Sequence, residues 1–120
     1  GAAWAYGAQP IKEAVMTTFD DRERSYEAKF AHDAELKFRV EARRNKLIGL
    51  WAAEILGKTG PDAMAFAAEI VRADLLHGGD EDLVAHLVEQ LSGGVAEGEI
   101  RIKLTEYAVQ AGREVFDDLQ

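Results

Sequence analysis

Asp74 and His77, three residues apart, and Asp82 and His86, four apart, are the residues whose types and spacing come nearest to chemistry. Offsets of three and four share one helix face, and imidazole with carboxylate is a ligand set for a divalent metal. A metal-binding bundle draws glutamates and histidines inward from several helices, whereas these four stand where helix caps and solvated faces are expected. No metal and no cofactor is assigned. Asp80 and Asp82 open in the manner of a calcium loop, but Val84 stands where a third oxygen ligand is needed. Gly57-Lys58-Thr59-Gly60 has the residue order of a phosphate-binding loop. Its required first glycine falls at Ala52 and the preceding segment reads as helix rather than strand, so the tetrapeptide reads as the end of one helix and the start of the next. No serine is paired in sequence with a histidine and a carboxylate, and no apolar pocket is identifiable that would split the pKa values of two carboxylates. The residues point to a binding module and not to an enzyme.

The elements that carry these residues are helical, for no period-two apolar stretch is bounded by hairpin turns. Asp20 and Glu23 have the spacing of a capping box, with Phe19 as the staple, which predicts a helix start near Asp20. Tyr26, Phe30, Ala34 and Phe38 recur every four residues as a narrow apolar seam between charged flanks. From Val40 the apolar face widens through Leu47, Ile48, Leu50, Trp51, Ile55 and Leu56, and Gly57 ends the helix. Thr59-Gly60-Pro61 opens a second helix carrying Met64, Phe66, Ala67, Ile70, Val71, Leu75 and Leu76. Gly78-Gly79 stops it, and Asp80 is expected to cap a third with Leu83, Val84, Leu87, Val88 and Leu91 on its apolar face. After Ser92-Gly93-Gly94 a fourth carries Ile100, Leu104, Tyr107, Val109, Ala111, Val115 and Phe116. Short connections imply antiparallel neighbours. The expected fold class is all-α, a four-helix bundle over residues 39–120 with an N-terminal charged amphipathic helical arm over 16–38. Residues 1–15, rich in Ala and Gly, are expected to be a disordered leader or an upstream extension, with Met16 an alternative start.

The 120 residues are 48% hydrophobic and 30% charged, enough apolar content for one core and too much for wholesale disorder. Net charge is -8, which opposes binding to nucleic-acid phosphates or anionic lipid. No apolar run approaches the roughly 18 residues that cross a bilayer, so no direct membrane insertion is expected. With no cysteine, a cytoplasmic location is expected. The charge is uneven: Asp20 to Lys46 carries eight basic and seven acidic residues, Gly1 to Phe19 balances, and Leu47 to Gln120 holds -9. An arm and a body with different partners have this asymmetry.

Longer blocks then carry a resemblance. Thr17-Thr18-Phe19-Asp20-Asp21-Arg22-Glu23, Phe30-Ala31-His32-Asp33, the run from Glu41 to Glu54, Glu69-Ile70-Val71-Arg72-Ala73-Asp74 and Gly79-Asp80-Glu81-Asp82 resemble the zeta-subunit family of alphaproteobacterial ATP synthases. The resemblance implies a four-helix inhibitory subunit of the rotary enzyme that blocks ATP hydrolysis, located in the cytoplasm and peripheral to the inner membrane through ATP synthase. It also implies that the N-terminal segment, here Met16 to about Phe38, enters a catalytic alpha/beta interface and meets the central-stalk gamma subunit. On that basis Thr17, Thr18, Phe19, Asp20, Asp21, Arg22, Glu23, Tyr26 and Phe30 are the expected partner-binding residues. Fifteen residues precede Met16, whereas the family's inhibitory segment lies at the start of its chain. The alternatives are a helical adaptor for another partner, and a bundle that binds metal or nucleotide.

Overall fold

In the computed structural model the backbone is described for residues 8–120, and side chains for residues 24, 28, 31–76 and 78–120. Four helices follow one another, α1 over Ala8–Ile55, α2 over Gly60–His77, α3 over Asp80–Gln90 and α4 over Glu97–Asp118. Among the described residues there is no strand, and the fold is all-α. The chain divides into two compact units, Gly1–Leu36 and Lys37–Gln120.

Neither glycine nor proline occurs between Pro10 and Gly49, and α1 runs through the whole stretch. It therefore does not start near Asp20, as the capping-box spacing predicts. A helix already nucleated upstream gains one hydrogen bond for each residue it adds, whereas a new start requires a second nucleus. Pro10 stands in the first turn, where its missing N–H is not needed. Ala8 to Val15, expected to be part of an irregular leader, is the beginning of α1, and residues 1–7 lie outside the described residues.

α1 ends as its sequence predicts. Gly57, at φ 77°, donates its N–H to Glu54 O at 3.0 Å, and Lys58 donates to Ala53 O at 2.9 Å. These are the two bonds of a glycine-terminated helix end, and the left-handed backbone at Gly57 favours a residue without Cβ. Thr59 is extended at the head of α2, with Pro61 in the first turn. At α3 the expectation of an Asp80 cap is corrected: Gly79 is the cap residue, and Asp80 is the first helical residue. With no side-chain bond to the helix's own N–H groups, the carboxylate of Asp80 accepts from Arg44 instead.

The core of the second unit joins Ile48 and Ala52 of α1, Ile70 of α2, Leu83, Val84 and Leu87 of α3, Leu91 after it, and Ile100 and Leu104 of α4. Trp51, Phe66, Val88, Val95 and Tyr107 pack against its edge. Gly49 lets α1 approach α2 closely, since a Cβ there would lie 2.8 Å from Ala67 Cα and 3.1 Å from Ala67 Cβ. Met64, Leu75, Leu76, Val109 and Phe116, read from the sequence as parts of apolar faces, are exposed. In α2 the reason is phase: the stripe of Ala67 and Ile70 continues four residues later at Asp74, which leaves Leu75 and Leu76 turned away.

Candidate partner-binding site

The nine expected partner-binding residues, Thr17, Thr18, Phe19, Asp20, Asp21, Arg22, Glu23, Tyr26 and Phe30, all fall on the backbone of α1. Their side chains lie outside the described residues. Tyr26 and Phe30 follow Phe19 by seven and eleven positions, near-whole numbers of helical turns, so the three positions form one stripe. Of the apolar seam they begin, Ala34 and Phe38 are described and both are exposed. Arg24, His32, Asp33 and Glu35 are exposed as well, so the described part of this segment is a solvated charged helix with an uncovered seam.

Within the second unit, polar side chains fix α1 to the other helices. Arg44 and Asn45 are buried at 9% and 1% exposure, which requires that their polar atoms find partners. Arg44 donates through Nη1 and Nη2 to Asp80 at 3.3 and 3.0 Å, and through Nε to Asn45 Oδ1 at 3.0 Å. Asn45 donates through Nδ2 to Asp74 Oδ2 at 2.7 Å. The chain Asp74, Asn45, Arg44, Asp80 thus ties α1 to both ends of the α2–α3 connection. Beside it Arg43 donates to Asp118 at 3.0 Å and Glu114 at 3.5 Å near the end of α4.

Reading the sequence for chemistry misses this polar bridge. Its signal is present in the phase, because Arg44 stands four and eight residues before Ile48 and Ala52 on the core-facing stripe. A charged residue in that position must be paired.

The residues considered for metal binding are distributed differently. Asp74, Asp82 and His86 share a cleft of about 320 Å³ between α2 and α3, walled by Ile70, Ala73, Gly78 and Leu83. Asp74 already accepts from Asn45, and the side chain of His77 lies outside the described residues. Among the described residues no group of three or more His, Asp or Glu side chains is placed to hold a metal ion. Next to Asp80, Glu81 accepts from Arg101 Nη1 and Nη2 at 2.9 and 2.8 Å. The hydrogen bonds and charge of that guanidinium hold the Glu81 carboxyl below the ordinary glutamate range.

The family model described as ATPase inhibitor subunit zeta matches residues 16–114. Among solved structures the chain is similar to one described as a solution NMR structure of a protein, at 43% identity over 69% of this chain and 98% of that one, with a TM-score of 0.64. No curated protein matches.

Proposed function

Because the chain belongs to the ATPase inhibitor subunit zeta family, we infer that it restrains ATP hydrolysis by the rotary ATP synthase through its N-terminal arm. Residues 16–38 enter a catalytic alpha/beta interface and reach the central-stalk gamma subunit, while the bundle remains outside the interface. The observation that carries this reading is the family match over residues 16–114, a range that includes the whole arm.

A helix with one apolar seam and dense charge of both signs suits a polar cleft between subunits, and the exposure of Ala34 and Phe38 supports a seam left open for a partner. The arm binds one conformation of the catalytic interface more tightly than the others, and this differential affinity opposes the next rotation step. The role is regulatory rather than catalytic. Contact with the enzyme is through its catalytic sector, and among the described residues no helix is long and apolar enough to cross a membrane.

The test is ATP hydrolysis by the isolated catalytic sector of the cognate synthase, with the full chain and with its Phe19→Ala/Tyr26→Ala/Phe30→Ala variant. Inhibition by the first and its loss in the second is expected. Equal inhibition by both removes the seam from the mechanism, and no inhibition by the full chain leaves the adaptor reading in its place.

A further inference from the structure

A second cleft of about 320 Å³ opens in the unit Lys37–Gln120, where Phe38 and Val71 meet Val115 of α4. Phe38 is 52% exposed, so an aromatic ring lies half uncovered in it. The charged residues lining it are Arg39, Arg43 and Lys46, with no carboxylate among the lining residues. The lining is thus positive on a chain of net charge -8. Arg43 is held in place by Glu114 and Asp118. Among the described residues Arg39 and Lys46 make no ion pair, so their charge is available to a partner. An exposed aromatic beside arginines is the residue combination that anchors protein interfaces.

We propose that this cleft seats an acidic amphipathic helix of the ATP synthase catalytic sector, extending the arm's contact from its last residue, Phe38, onto the bundle. The inference rests on the functional reading above. The helix places an apolar side chain against Phe38 and Val71, over the buried Val115, and carboxylates against Arg39 and Lys46. Charge complementarity of this kind speeds encounter and fixes orientation, and it weakens as salt rises.

The experiment measures the affinity of the full chain for the isolated catalytic sector at low and high salt, together with inhibition of ATP hydrolysis. Arg39→Glu/Lys46→Glu is compared with Lys58→Glu/Arg113→Glu, which changes net charge equally at positions outside the cleft. The cleft variant is expected to bind about tenfold more weakly at low salt, with the difference narrowing at high salt. Inhibition at saturating concentration stays complete, because the arm is unchanged. Amide NMR spectra establish that each variant is folded, and if charge reversal unfolds the chain, Arg39→Gln/Lys46→Gln carries the test with a several-fold loss. An unchanged affinity, or an equal loss in the comparison variant, overturns the docking surface while leaving inhibition by the wild-type chain intact. A wild-type chain that neither binds nor inhibits overturns the functional reading, and the docking surface with it.

Discussion

Asn45 Nδ2 donates to Asp74 Oδ2 at 2.7 Å, linking α1 to α2 from a side chain that is 1% exposed. The same amide accepts from Arg44 Nε through its oxygen at 3.0 Å, so one side chain satisfies a carboxylate and a guanidinium at once. Asn45→Ala leaves the buried Arg44 Nε without its acceptor and is expected to cost about 1–3 kcal/mol. Urea unfolding checks this, with a lowered midpoint and an unchanged slope.

Gly49→Ala sets two effects against each other. Alanine is favoured over glycine in a helix interior by about 1 kcal/mol. Its Cβ, however, would sit 2.8 Å from the backbone Cα of Ala67, and overpacking of this kind costs about 1–3 kcal/mol. The obstacle is backbone rather than the end of a flexible side chain, so net destabilisation is expected. A lower thermal midpoint relative to wild type is the readout, and a raised midpoint would show that α1 and α2 separate without cost.

Leu87 is fully buried in the cluster formed with Ile48, Ile70, Val84 and Ile100. Leu87→Ala should cost about 2–5 kcal/mol through lost burial and the cavity left behind. Leu76, 67% exposed, is the comparison: Leu76→Ala should shift stability by at most about 0.5 kcal/mol. Denaturant titration of the two variants side by side distinguishes them.

Glu81 should titrate below the ordinary glutamate range, because Arg101 bonds both of its oxygens. A carboxyl whose folded-state pKa is lowered contributes stability that is present above the unfolded value and is lost as pH falls through the folded one. Both side chains are largely solvated, so the stabilisation itself is small. Carboxyl NMR titration checks the direction, and Arg101→Met should return the Glu81 midpoint upward.

The helices are legible in the sequence where local signals agree. Leu83, Val84 and Leu87 repeat at helical spacing and are buried as that spacing predicts, and Gly57 terminates α1 as its type demands. The start of α1 is not legible, because the Asp20–Glu23 spacing describes a start only where the upstream chain is not already helical. The polar bridge is hidden for another reason: Asn45 and Arg44 find Asp74 and Asp80 at separations of 29 and 36 residues, which no local pattern encodes. The nine residues expected to bind a partner, from Thr17 to Phe30, are singled out by the family resemblance and, for Phe19, Arg22, Tyr26 and Phe30, by residue types common at interfaces; their side chains lie outside the described residues.

Asp80 and Glu81 are neighbours at the first turn of α3, and guanidinium groups from two different helices hold them, Arg44 of α1 and Arg101 of α4. At 11 residues α3 is too short to persist alone. Packing of Leu83, Val84 and Leu87 therefore has to hold it, and raising ionic strength, which weakens the two exposed ion pairs, should quicken exchange of its first-turn amide protons only slightly.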